Sequence, residues 1–277
     1  MAKGIGLIGN FKGKVGNMVG YKLSDSNTGN TQGIRVYQPI VKNPKTSAQA
    51  EQRAKLAPIN ATYRALKMVI DRGNESLPYG NKSRLAWLKQ AFKATKMPWF
   101  VKGASVSYPV VCQLTKGSLS QLPYRVFEDE VDIDCPTLQA AATVNTVGGV
   151  STALMADYPF LKAGDQITVV LVSNNGDALY PTIFSFVLDT TSAEAISGFK
   201  ATEGVLKIAD TFTFYAAAII ISREGANGEH LRSTTSLAID SSYLDEVPYN
   251  ADSKTAAIES YQNAASANAD WAEESIQ

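Results

Sequence analysis

Near Gly103 the spacing of apolar residues changes, and that change limits the fold more than any other feature of the chain. Before it, Leu56, Ile59, Tyr63, Leu66 and Ile70 recur at alternating three- and four-residue steps, the stripe of an amphipathic helix. After it, short runs with a period of two begin: 106–114, 138–144, 167–173, 182–188, 205–208, 212–221 and 231–239. The turn signals Asn174-Asn175-Gly176-Asp177, Gly198 and Gly225-Ala226-Asn227-Gly228 punctuate them. A helical layer followed by about seven antiparallel strands predicts an α+β fold. The β part is expected to be an antiparallel sandwich, immunoglobulin-like in strand number and spacing. The Cys–Trp–Cys core of true immunoglobulin domains is absent, because Trp87, Trp99 and Trp271 all fall outside these strands.

The helical segment has clear punctuation. Thr46, with Gln49 three residues on, forms a capping box. Pro58 lacks an amide donor and is expected to kink the first helix or start a second. Gly73 stands where a C-cap belongs. Ser83 begins a shorter helix with Leu85, Leu88 and Phe92 inward, stopped before Pro98, so an antiparallel helix pair is expected. The organisation predicted is a glycine-rich basic arm (1–45), a helical region (46–100), a β-sandwich domain (101–249) and an acidic, alanine-rich tail (250–277). In the tail, Ile258, Tyr261, Ala265 and Ala272 make a thin stripe expected to form a docked helix.

The arm opens with GIGLIGNFKGKVGNMVGYKL at residues 4–23. Gly4, Gly6 and Gly9 satisfy the dinucleotide fingerprint by spacing, but only three residues precede them, too few for the strand that the fingerprint requires. Lys14 is followed by Val15, so a Walker loop would lack its magnesium-ligating hydroxyl. The glycines read instead as bare backbone able to lie close against another surface. Residues 15–21 and 34–40 are expected to be two strands of a long hairpin that orders against a partner.

Chemistry-bearing clusters are sparse. His230 is the only histidine, and Cys112 and Cys135 have no C-x-x-C spacing, so they read as reduced core thiols. The acidic run Glu128-Asp129-Glu130, with Asp132 and Asp134, lacks the glycine-punctuated loop of an EF-hand and is expected to be a solvated acidic face. No catalytic residue, metal site or cofactor is expected. The first twenty residues hold no signal-peptide block and no apolar run is long enough for a membrane span, so a soluble, intracellularly made protein without membrane contact is expected.

Zero net charge conceals a dipole along the chain. Residues 1–100 carry 17 Lys and Arg against four acids, and residues 101–277 carry nine against 22, near +13 and −13. Such asymmetry speaks to partners. Self-complementary assembly needs no further motif and is favoured over contact with nucleic acid, for which no recognisable module is present. The interface residues expected are Lys12, Lys14, Val15, Met18, Val19, Tyr21, Lys22, Arg35, Tyr37, Lys42 and Lys45, with Ile34 and Val36 adding apolar contact.

Gly13-Lys14-Val15-Gly16-Asn17-Met18-Val19-Gly20-Tyr21, followed by Asn43-Pro44-Lys45-Thr46-Ser47-Ala48-Gln49 and Arg53, resembles a protein family of Bacteroidota and their phages, crAss-like phages included. The likeness extends more loosely to Ser241-Ser242-Tyr243-Leu244 and does not cover the residues after Tyr249. It brings no catalytic residues. It implies a phage-type virion component of the tail, collar or head surface; with the glycine-rich arm, the charge dipole and the sandwich, a structural subunit of an oligomeric tail or collar ring, assembled in the host cytoplasm, is expected. The alternatives are a head-surface decoration or fibre protein, and a DNA-contacting packaging or ejection protein.

Overall fold

The structure is a computed structural model that describes residues 13–22, 32–36, 46–127, 130–140, 146–196, 198–202, 204–209, 214–226, 228–240, 244 and 248–263. The chain divides into two compact units, 1–44 and 45–277. In the first, β1 (Gly13–Val15), β2 (Met18–Lys22) and β3 (Gln32–Val36) form an antiparallel sheet in that order. The segment expected to be one strand over 15–21 is therefore two. Gly16 takes a φ of 58°, the left-handed value a two-residue hairpin turn demands, and the chain reverses at Gly16-Asn17.

The second unit begins with α1 (Ser47–Ala65), α2 (Lys67–Ile70) and α3 (Asn81–Ala91). Next come β4 (Gln113–Thr115), β5 (Arg125–Val126), β6 (Glu130–Asp134), a 3-10 turn at Pro136–Ala140 and α4 (Val147–Asp157). The main strands follow: β7 (Gln166–Asn174), β8 (Leu179–Val187), β9 (Phe199–Thr202), β10 (Val205–Ala209) and β11 (Ala216–Glu224). The short β12 (His230–Arg232), β13 (Thr235–Ser236) and β14 (Ala238–Ile239) precede α5 (Ala251–Asn263). The fold is mixed α+β, with every sheet antiparallel.

Its centre is the sheet β12-β11-β7-β8, with β14 also on β11. Both faces of this sheet are buried along β7 and β11. Ile167, Val169, Leu171, Ala217, Ile219 and Ile221 share one core with β6, β10 and α4, through residues such as Val131, Ile133, Leu206, Ile208 and Leu154. Val170, Val172, Ala216, Ala218 and Ile220 face the other way and share a second core with Ile59, Leu66, Ile70, Trp87 and Ala91 of the helices. Burial on both sides explains why β7 and β11 read as nearly continuous apolar runs rather than clean alternation. The second sheet runs β5-β6-β10-β9.

Most of the expected stripe faces inward: Ile59, Leu66 and Ile70 are buried, and Tyr63, Leu88 and Phe92 pack against the helix-side core. Thr46 caps α1, accepting from the Gln49 amide at 3.4 Å. The helix then runs through Pro58 without a new start. Its buried face is Ala50, Ala54, Pro58, Ile59 and Thr62, while Leu56 is 43% exposed. In α3 the inward residues are Ser83, Trp87 and Ala91, and Leu85 is 49% exposed. Small residues let both helices sit close on the sheet, and their hydroxyls find backbone partners: Thr62 Oγ1 accepts from the Val110 amide at 2.9 Å, and Ser83 Oγ donates to the Ile70 carbonyl at 2.8 Å. Gly73 is no left-handed cap. It abuts β4, where a Cβ would come within 2.5 Å of the Leu114 carbonyl.

Two expected strands differ from their predicted spans among the described residues. Of 106–114, only the last residues enter β4, and 138–140 belong to the 3-10 turn, while 141–145 lie outside the described residues. The alternation Glu130-Val131-Asp132-Ile133-Asp134, expected to be a solvated face, is strand β6 with Val131 and Ile133 in the core. Helix α5 packs on α1: Ala257 is fully buried, Tyr261 lies against the helix-side core, and Lys254 reaches Glu51 at 3.3 Å.

Glu75 ties three loops together. Its carboxylate accepts from the Ser118 amide and hydroxyl and from the Arg232 amide, all at 2.9 Å. Burial raises its proton affinity, but these donors outweigh burial and hold the carboxyl below its ordinary value. A depressed pKa favours the ionised form in the folded chain, so this contribution is full above the ordinary carboxylate range and is lost as pH falls through the folded pKa. Glu75→Gln is therefore expected to lower stability at pH 7 and to converge with the parent toward pH 3. Urea unfolding at the two pH values checks this; an equal difference at both would show that ionisation is not what binds the loops.

Candidate interaction surface

The register of the N-terminal sheet sorts its residues onto two faces. Val15 pairs with Met18 and Met18 with Val36, so one face carries an apolar row across all three strands. Beside it runs the row Gly13, Gly20, Ile34. The opposite face carries Lys14, Val19 and Arg35 in one row and Tyr21 with Gly33 in the next. Met18 is 43% exposed, Val36 is 71% exposed and Lys14 is exposed. Lys22 lies at the end of β2 opposite Gln32. The described part of this unit has three cations and no carboxylate. The structure thus brings Lys14, Val15, Met18, Val19, Tyr21, Lys22 and Arg35 onto one small sheet, while Lys12, Tyr37, Lys42 and Lys45 lie outside the described residues.

The acidic run is not a free surface where it is described. Arg125, Asp132, Lys207 and Lys200 are directly opposite one another across β5, β6, β10 and β9. Lys207 pairs with Glu130 at 2.6 Å, and Arg125 pairs with Asp134 at 2.5 Å. Burial pushes the Asp132 carboxyl up, with Lys207 and Arg125 pulling it down. Glu128 and Asp129 lie outside the described residues. Glu130 and Asp134, expected to await a basic partner, are thus engaged by cations of the same chain.

Cations of the helical layer are less engaged. Arg64, Lys67, Arg72, Lys82, Lys89, Lys93, Lys96 and Lys102 are exposed and make no ion pair among the described residues. His230 is exposed at the start of β12, its ring 6.1 Å from that of Tyr79. Cys112 and Cys135 are free, buried in different cores, and burial pushes both thiols up to about 12. Among the described residues no three His, Cys, Asp or Glu are grouped to hold a metal ion, and no helix is long and apolar enough to cross a membrane.

One exposed surface escapes sequence reasoning. Strand β8 ends the central sheet and is paired over all nine residues with β7, but with no described strand on its other side. Tyr180 is 57% exposed, Ile183 40% and Val187 50%. Period-two alternation finds such a strand but says nothing of its place in the sheet. The available signal is the charge-free run between Asp177 and Asp189. Comparison with protein-family models, with curated proteins and with solved structures gives no match to this chain.

Proposed function

We propose that this chain is a non-catalytic structural subunit of a phage virion that assembles into an oligomeric tail or collar ring through its N-terminal sheet. The observation that carries the reading is the apolar row Val15–Met18–Val36, whose Met18 and Val36 stand open to solvent on a sheet with cations and no carboxylate. A three-stranded sheet of this size needs an apolar face covered to be stable. Glycines at 13, 20 and 33 allow close backbone approach, and the cations orient the contact toward acidic surface on a neighbour. Exposed ion pairs contribute only about 0–1 kcal/mol each, so affinity comes mainly from burial. The resemblance of the two N-terminal motifs to a phage family supports the virion setting.

Removing residues 1–40 is expected to leave a folded chain, with its thermal transition intact, that runs as a monomer in light scattering where the full chain forms a larger particle. Retention of the full chain's mass would overturn the reading, and loss of the fold would mean that this segment belongs to the core. The unpaired cations of the helical layer favour a second reading, contact with DNA; salt-dependent retention of DNA by the 1–40 deletion, with no larger particle at any salt, would select it.

A further inference from the structure

We infer that the outer edge of β8 is the acceptor for β3 of a second copy, which extends the central sheet by strand addition; this rests on the assembly reading above. An exposed strand edge is a row of unpaired amides and carbonyls, and proteins ordinarily blunt such edges with lysines, bulges, short strands or a covering element. Strand β8 has little of this protection. It is nine residues long, its register against β7 is unbroken, and it contains no charged residue; Pro181 near its start is the one blunting feature. Both of its faces are incompletely covered. Ile183 and Val187 are exposed on the helix side, and Phe184 and Phe186 on the other side are only half-buried, although they pack against Phe199.

Charge selects the occupant. The uncharged strand is bracketed by exposed Asp177 and Asp189. The N-terminal sheet bears Lys14, Lys22 and Arg35 and no carboxylate among its described residues. Its β3 edge is unpaired among the described strands and spans five residues, within the length of β8. A groove of about 700 Å³ between α1 and the start of β8, lined by alanines of α1 and Pro181 together with Asn60, Arg64 and Asp177, provides room on the helix side for side chains of an added strand. Main-chain hydrogen bonds then supply affinity, and the flanking charges set direction.

The test uses full-length chain. Ile183→Lys with Val187→Lys puts charge on the open edge at positions exposed enough to leave the fold intact, which the thermal transition verifies. This variant is expected to raise the concentration at half-assembly by at least about tenfold. In parallel, a Val36→Cys copy mixed with an Ile183→Cys copy is expected to give a covalent dimer with a short bis-maleimide, Cys112 and Cys135 being buried. A Ser185→Pro chain provides a second variant should the lysines unfold the protein, since the Ser185 amide alternates with Pro181 toward the open edge and its loss adds no charge. Unchanged assembly in the folded edge variants, with no cross-linked dimer, would overturn the acceptor assignment while the 1–40 deletion still abolished assembly. Assembly that survives the deletion would instead overturn the functional reading itself. A linkage confined to a doubly substituted single chain would show that the sheet packs on its own copy, which also overturns the inference.

Discussion

Arg223→Met is expected to destabilise the 45–277 unit by about 3–5 kcal/mol. Arg223 holds Asp165 through two contacts, Nε to Oδ1 at 2.6 Å and Nη2 to Oδ2 at 2.7 Å, and Nη2 also donates to the Phe160 carbonyl. The Asp165 side chain is only 1% exposed. Without the guanidinium, a buried carboxylate keeps one remaining donor, the Lys162 amide at 2.9 Å. Removing both charges relieves most of that penalty, so Asp165→Asn combined with Arg223→Met should be more stable than Arg223→Met alone. Urea unfolding of the two variants measures this. A loss below about 1 kcal/mol for the single change is what a solvent-exposed pair gives, and it would mean that the pair is hydrated.

The second large effect tests the two-sided burial of the central sheet. Ile219 and Ile220 are adjacent on β11 and face opposite cores, with exposures of 0% and 2%. Each substitution to alanine should cost about 2–5 kcal/mol, the range for truncating a buried isoleucine in a core that relaxes only partly. In a sheet with one face in water, one of the two would be nearly silent. A loss within about 0.5 kcal/mol at Ile220 would show that the helices do not cover that face.

The parts of the fold legible in the sequence are those where local chemistry and tertiary burial agree. The turns at 174–177 and 225–228 carry the glycines and asparagines that such reversals require, and they join β7 to β8 and β11 to β12. Helix α4 was invisible for the opposite reason. Val147, Gly148, Val150, Ser151, Ala153 and Leu154 are all buried, so its sequence shows no polar stripe, and two glycines weaken its propensity. Gly148 earns its place by contact: a Cβ there would lie 2.5 Å from the Ser192 carbonyl. Leu56 and Leu85 break the pattern because alanine, serine and threonine share the close-packed face with Ile59 and Trp87, which leaves those two leucines on the outer side. In β6 the period of two was present, but its charges obscured it. At the candidate surface, the sequence names the residues of the N-terminal sheet, while the pairing Val15–Met18 depends on the Gly16-Asn17 reversal and Met18–Val36 on the register of β2 against β3.

The core on the helix side joins Ala54 of α1 to Val170, Val172, Ala216 and Ile220 of the central sheet, and Tyr261 of α5 completes it. A nascent chain emerging from the ribosome therefore exposes the inward faces of α1 and α3, Trp87 among them, long before translation delivers the strands that cover them. Contacts so distant in sequence close slowly, and the open surface invites mispairing in the interval. Chains completing synthesis side by side would meet while that surface is still uncovered, so the rate of translation relative to sheet closure governs how much of the product reaches its native form.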